Sequence, residues 1–215
     1  MKFPYFTAEG TEDGERDYPS FMNFEKNKGI DALRQVILAI RSNKRQGSAS
    51  TKTRAEVRGS GRKIQRQKGL GIGRAGDKKA VQRRGGGVVF GPKPRSYNKK
   101  VNRKTKRLAL ARALFDGSTE GKLSLIEAWT VSEAKTKHFT QVINKVIPDS
   151  RRSLIVDDAF EDNFGYAARN VARITLARAQ DLSPLDLVLA DKVIFSVSGL
   201  EVLLAKVGKE DAPSE

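Results

Sequence analysis

The sequence predicts an α/β fold: a layered domain with a mostly parallel sheet flanked by helices, plus one long extended basic loop. Three observations lead there. The last third of the chain alternates short apolar runs with helical patterns, the signature of parallel strands joined by crossover helices. From 47 to 95 all periodicity disappears, and more than half of the chain's 19 glycines collect there. Charge is concentrated in the same region. Between Arg41 and Arg107 stand 23 Lys and Arg against two acidic residues, Glu56 and Asp77, a local charge of +21; the whole chain is +16, so the remainder sums to −5.

Each element follows from its own residues. Residues 2–7 are a short apolar strand, followed by an acidic stretch, Glu9, Glu12, Asp13, Glu15 and Asp17, that reads as a solvated surface loop. Residues 29–46 read as a helix, with Ile30, Leu33, Ile37, Leu38 and Ile40 at helical spacing and Val36 beside them. Gly47 stands where a helix C-cap belongs, after Lys44 and Arg45. Residues 99–116 recover a helical pattern through Val101, Leu108, Leu110, Ala111 and Leu114; their first turns are almost all basic and should face an anionic partner. Strands are expected at 123–128, 153–157, 173–176 and 192–196, and helices at 136–147, 163–170, 184–189 and 200–207. The globular domain is therefore assigned to 1–46 and 96–207, the loop to 47–95, and a polar flexible tail to 208–215.

Composition narrows the chemistry. With no cysteine there are no disulfides, thiolate metal sites or Cys nucleophile. The acid-rich N-terminus lacks the apolar run of a signal peptide, and no stretch approaches the ~18 apolar residues of a membrane span, so a cytoplasmic protein is expected. Gly71-Ile72-Gly73-Arg74-Ala75-Gly76 spells a dinucleotide fingerprint, but a basic stretch precedes it and Asp77-Lys78-Lys79 follows where an apolar helix should start. The one histidine, His138, has no Cys or second His to share a metal with. Asp157, Asp158 and Glu161 follow a strand end where α/β folds place sites. Turn and N-cap roles suit them better than cation binding. Trp129 reads as packing. No catalytic residue, metal or cofactor is assigned.

The basic segment has a grammar of Lys and Arg separated by Gly, Ser, Thr and Gln. Such a block repels itself and needs a dense anionic partner, of which nucleic acid is the usual one. Glycine allows close approach and sharp bends, and arginine supplies a planar fork for phosphate oxygens. If the segment runs out and back, each arm of about 25 residues reaches at most ~80 Å at ~3.3 Å per residue. That length suits penetration into a large folded RNA. Phe90 and Tyr97 are its only aromatics, so serial base stacking is not expected and phosphate contact should dominate. Alone, the loop should be disordered and should order on RNA.

Several blocks then match a known family in order: Arg45-Gln46-Gly47, Thr51-Lys52-Thr53-Arg54-Ala55-Glu56-Val57-Arg58-Gly59-Ser60-Gly61, Arg66-Gln67-Lys68-Gly69, and Gly85-Gly86-Gly87-Val88-Val89-Phe90-Gly91-Pro92-Lys93-Pro94-Arg95. Lys135-Thr136-Lys137, Ala168-Arg169-Asn170 and Asp191-Lys192-Val193 continue the match. From about 20 to about 207 the chain resembles the bacterial-type large-subunit ribosomal protein L-four family. The resemblance implies a structural, non-enzymatic constituent of the large ribosomal subunit. Its globular domain sits on the solvent side, and its loop threads large-subunit rRNA to the constriction of the nascent-peptide exit tunnel, beside a loop of ribosomal protein L-twenty-two and near the macrolide site. It also implies, for some members, repression of their own operon through the messenger leader.

The residues assigned to rRNA binding are Arg45, Lys52, Arg54, Arg58, Arg62, Lys63, Arg66, Lys68, Arg74, Arg83, Arg84, Lys93, Arg95, Lys99, Lys100, Arg103 and Lys104. Those assigned to the tunnel tip are Gln65, Arg66, Lys68, Leu70, Ile72 and Arg74. The tip departs from the family pattern: Gln65 stands where an aromatic is common, Ile72 replaces a tip arginine, and Val81 and Arg83 replace a Pro and a Trp. The alternative function is an α/β nucleic-acid-processing enzyme using the loop as a substrate clamp, which requires convergent titratable groups at the strand ends; only Asp157, Asp158 and Asp191 stand there.

Overall fold

The computed structural model describes residues 1–18, 21, 23–24, 27–131, 134–148 and 150–208. Apart from Gly208, the tail expected to be flexible lies outside these residues. The chain divides into two compact units, Met1–Ile40 with Lys100–Glu215, and Arg41–Lys99.

The first unit is built on a six-stranded sheet. Its strands are β1 (Lys2–Phe6), β2 (Glu12–Asp17), β3 (Leu123–Ile126), β4 (Ser153–Asp157), β5 (Ile174–Arg178) and β6 (Lys192–Ser196). Their spatial order is β2-β1-β3-β6-β4-β5; β1 and β2 pair antiparallel and every other pair is parallel. The helices are α1 (Ile30–Asn43), α2 (Arg103–Thr119), α3 (Thr136–Val146), α4 (Asp162–Ala168), α5 (Pro184–Leu189) and α6 (Val197–Gly208).

Central strands covered on both faces read as continuous apolar runs, and the pleat sends alternate residues to opposite layers. Leu123 and Leu125, Leu154 and Val156, and Val193 and Phe195 join one core with α2, α5 and α6. Ile126, Ile155 and Ile194 join the other, with Phe139 and Ile143 of α3 and Phe164 of α4. Trp129 is buried in this second core, its ring centroid 5.4 Å from that of Phe164.

Three expectations are corrected. The acidic stretch after β1 is not a plain loop: Glu12–Asp17 forms an edge strand with all six residues exposed. No apolar alternation marks it, because neither face is buried. Its charges suit a sheet edge that must not pair further. Arg16 lies 3.7 Å over the Tyr5 ring, and the chain's amino group meets Asp17 at 3.0 Å.

Helix α1 ends at Asn43, so Gly47 does not cap it. The Asn43 side chain instead bonds the chain on its return, accepting from the Lys99 N–H at 2.7 Å and donating to the Lys99 carbonyl at 3.2 Å. The buried face of α1 is Val36 and Ala39, while Ile30 and Leu38 are exposed.

Helix α2 starts at Arg103; residues 99–102 before it belong to no regular element, and the backbone at Asn102 is extended. Val101 is buried against Val36, Ala39 and Ala109, so its side chain anchors the entry to the helix from outside it.

Candidate nucleic-acid interface

The unit Arg41–Lys99 contains no strand or further helix beyond the end of α1, yet its two arms are tied together. At its root, Ser42 Oγ donates to the Tyr97 carbonyl at 2.7 Å, and the Arg95 N–H donates to the Gly47 carbonyl at 3.2 Å. Gly47 has φ +71°, and a Cβ there would lie 2.1 Å from the Arg95 carbonyl oxygen. Its glycine is needed for this close approach and not for a helix cap. Farther out, the Thr51 N–H donates to the Pro92 carbonyl and the Val88 N–H to the Lys52 carbonyl, both at 2.9 Å. The Ile64 N–H reaches the Gly76 carbonyl at 3.3 Å. These pairs converge on Leu70, midway between Ile64 and Gly76. The loop is therefore a long hairpin, and its apex carries glycines of positive φ at Gly69 and Gly71.

The middle of this hairpin is a collar assembled by both acidic residues of the unit. Asp77 is 7% exposed and receives Arg54 Nη2 at 2.9 Å. Glu56 receives Lys93 Nζ at 2.5 Å and the Thr53 N–H at 2.9 Å. The hydrogen bond from Lys93, with that of the Thr53 amide, holds the Glu56 carboxyl below the ordinary glutamate range. The triple glycine closes the collar: a Cβ on Gly86 would lie 2.0 Å from the Ala80 carbonyl oxygen, and one on Gly87 would lie 2.2 Å from the Arg54 nitrogen.

Of the residues assigned to rRNA, Arg54 and Lys93 thus have internal partners and act first as struts. Removing Arg54 leaves the buried Asp77 carboxylate without its cation, at a cost on the order of 1–3 kcal/mol. Arg54→Ala should speed hydrogen exchange at the Val88 and Thr51 amides, and adding Asp77→Ala should recover much of the protection.

The other assigned cations of this unit point outward. Arg45, Lys52, Arg58, Arg62, Lys63, Arg66, Lys68, Arg74, Arg84, Arg95 and Lys99 are exposed and Arg83 is half-buried. With both carboxylates consumed inside the collar, the outer surface of the hairpin is left overwhelmingly positive. At the tip Gln65 is half-buried, Leu70 and Ile72 are exposed, and Arg66 Nη2 donates to the Gly69 carbonyl at 3.0 Å.

One feature of the root had no signal in the sequence. Arg45 and Arg95, fifty residues apart in number, place their guanidinium groups 4.0 and 4.5 Å from the Tyr97 ring centroid. A hydrogen bond from Arg95, with the charges of Arg45 and Arg95, holds the Tyr97 phenol below its usual range. Two forks are thereby oriented on one aromatic platform.

The first unit carries Lys100, Arg103 and Lys104, all exposed. It also holds a cavity of about 410 Å³ lined by apolar Val36, Ile40, Leu110 and Leu182 and by the cations Arg103, Lys106, Arg107 and Lys206. Lys206 was absent from the sequence assignment, since it stands on the last helix, far along the chain. Burial lowers its ammonium pKa, and Nζ donates to the Gln180 carbonyl at 2.5 Å.

Among the described residues the strand ends present no open catalytic constellation. Asp157 turns inward: its Oδ1 accepts from Ser196 Oγ at 2.5 Å, Ser198 Oγ at 3.2 Å and the Asp158 N–H at 2.8 Å. Gly199 packs so closely that a Cβ would lie 2.9 Å from Asp157 Cα. This network staples α6 to the ends of β4 and β6. It gives Asp157 a structural role at the strand end, and among the described residues no group of three or more His, Cys, Asp or Glu is arranged to hold a metal. No described helix is long and apolar enough to cross a membrane.

Comparison with known proteins agrees with this geometry. The pattern of the ribosomal protein L4/L1 family matches residues 20–206. The chain is 39% identical over 208 residues to large ribosomal subunit protein uL4 of Brevibacillus brevis, covering 95% of this chain and 99% of the relative. It is 46% identical over 164 residues to the uL4 of Nostoc punctiforme, covering 74% and 77%. It is 42% identical over 203 residues to the uL4 of Trichodesmium erythraeum, covering 92% and 95%. The match spans both the layered α/β unit and the hairpin with its inward-turned acids, and the chain belongs to the ribosomal protein L4/L1 family, whose members are structural and non-enzymatic.

Proposed function

We propose that the hairpin Arg41–Lys99 threads large-subunit rRNA and carries its tip to the nascent-peptide exit tunnel. As a member of its family the chain is a structural constituent of the large ribosomal subunit, associated with rRNA and with other ribosomal proteins. The threading reading goes further. One observation carries it: both carboxylates of the unit are spent on internal struts, so cations dominate both arms from root to apex. A surface of that form neutralises phosphates on several sides at once.

The residues assigned to rRNA are the exposed cations named above together with Lys100, Arg103 and Lys104. Gln65, Arg66, Lys68, Leu70, Ile72 and Arg74 form the tunnel tip, where a loop of ribosomal protein L-twenty-two is the expected neighbour. Leu70 and Ile72 give this tip two exposed aliphatic side chains. The same basic surface suits the messenger leader of the chain's own operon as a second RNA target. The expectation of a disordered free loop narrows to the tip, because the collar supplies its own hydrogen bonds.

The absence of cysteine makes a direct test practical. With Ile72→Cys carrying tethered Fe-EDTA and assembled into large subunits, cleavage of rRNA should cluster at nucleotides lining the tunnel. Cleavage confined to the subunit's outer surface would refute the threading reading. A trans-acting assay with the messenger leader tests the regulatory reading separately: added protein should reduce translation of a leader-fused reporter, and a leader-independent result would reject it.

A further inference from the structure

We infer that Phe90 is a base-stacking residue, held out from the hairpin by a built bulge to receive one unpaired nucleobase of the RNA. The inference rests on reading the basic unit as an rRNA-binding element, and adds a contact of different chemistry to it. Phe90 is 99% exposed, and Val88 and Val89 beside it are also exposed.

The chain does not leave the ring there by chance. The Val88 N–H is tied to the Lys52 carbonyl and the Pro92 carbonyl to the Thr51 N–H. Thr51 Oγ1 donates to the same Pro92 carbonyl at 3.2 Å. Adjacent residues on one arm therefore hold positions on the other that bracket Val89, Phe90 and Gly91. The excess chain has to bulge, and a bulge re-aims side chains. Glycines lock both flanks: a Cβ on Gly87 would lie 2.2 Å from the Arg54 nitrogen, and one on Gly91 would lie 1.9 Å from Thr51 Oγ1.

Charge selects the occupant. The arms beside the bulge carry Lys52, Arg54, Lys93 and Arg95, and the unit's two carboxylates are already engaged by Arg54 and Lys93. A protein pocket closing over Phe90 would have to approach Lys52 and Arg95, which no carboxylate of the unit neutralises. An RNA strand brings phosphates for the cations together with a π-face for the ring, and an aromatic platform accepts any base.

The test places photoreactive p-benzoyl-phenylalanine at position 90, and separately at position 58, in full-length chain assembled into large subunits. We expect irradiation to join both positions to rRNA, with position 90 mapping to one nucleotide. RNA crosslinks from position 58, with position 90 joined to a ribosomal protein or to nothing, would overturn the stacking role and leave the rRNA reading intact. Absence of RNA crosslinks at both would remove both. In solution, Phe90→Ala should weaken binding to large-subunit rRNA by roughly 5- to 100-fold while leaving the slope against salt unchanged, because a stacked ring releases no counterions. Phe90→Tyr should restore the affinity; equal loss in both variants would overturn the inference.

Discussion

Replacing Arg58, Arg62, Lys63, Arg66, Lys68 and Arg74 together by alanine should abolish most of the chain's affinity for large-subunit rRNA. All six are exposed on the outer half of the hairpin, and no carboxylate of the unit is left to neutralise them. Each phosphate contact releases condensed counterions, at ~0.7 per contact on single strands and ~0.9 on duplex. If all six meet phosphates, the slope of log affinity against log salt should flatten by about four to five. The intact chain, making roughly six to ten such contacts, should lose about 10³–10⁵ in affinity between ~50 and ~200 mM salt, and the variant far less. Filter binding across a salt series reads both quantities. Arg54 and Lys93 are left in place because they brace the collar, so an effect of the six substitutions cannot be ascribed to collapse of the loop base. An unchanged slope would show that these cations do not meet phosphate.

Gly87→Ala should open the collar. The new Cβ would lie 2.2 Å from the Arg54 nitrogen and 2.5 Å from both Arg54 Cα and the Thr53 carbonyl carbon, all backbone atoms without a rotamer to yield. Overpacking of this kind costs about 1–3 kcal/mol, occasionally more. The Val88–Lys52 hydrogen bond stands next to it and should break. Loss of preorganisation should weaken rRNA binding by roughly 10- to 100-fold, at ~1.4 kcal/mol per decade. No cation is removed, so the salt slope should stay unchanged. Gly76→Ala is the control: a Cβ there meets nothing within 4 Å and its φ is ordinary, so binding and amide exchange should match the parent chain. Equal behaviour of the two variants would mean that the collar does not govern binding.

What was legible in the sequence follows from burial. The runs Leu154-Ile155-Val156 and Val193-Ile194-Phe195 are covered on both faces, so β4 and β6 announce themselves with their correct limits. Helix α5 is equally plain, with Ser183 and Asp186 forming a capping box and Pro184 in the first turn. Strand β2 was hidden because its six exposed residues carry no apolar pattern, and only its pairing with β1 makes it a strand. The end of α1 was misplaced because what marks it is a long-range contact with no local signature: its last residue, Asn43, bonds the returning chain at Lys99.

Charge and glycine content alone marked the basic segment as a separate extended unit that needs a dense anionic partner. Its internal construction was not legible. Nothing local separates Arg54 and Lys93, which are paired inward, from Arg58 and Lys68, which face out. Glycine content announced close approach and sharp bends, but nothing local shows that Gly47, Gly87 and Gly91 are where the two arms press together while Gly86 packs against its own arm at Ala80. Tyr97 and Phe90, noted only as too few for serial stacking, prove to be a seat for two guanidiniums and the crest of a bulge.

The central claim is that the hairpin is threaded into RNA and not merely laid against it. Large subunits assembled with the full chain, and with a chain lacking residues 50–90, should be sedimented through a high-salt wash and assayed for retained protein. Threading predicts that the full chain stays in the particle after surface electrostatics are screened, while the shortened chain is released. Release of both, or equal retention of both, would contradict it.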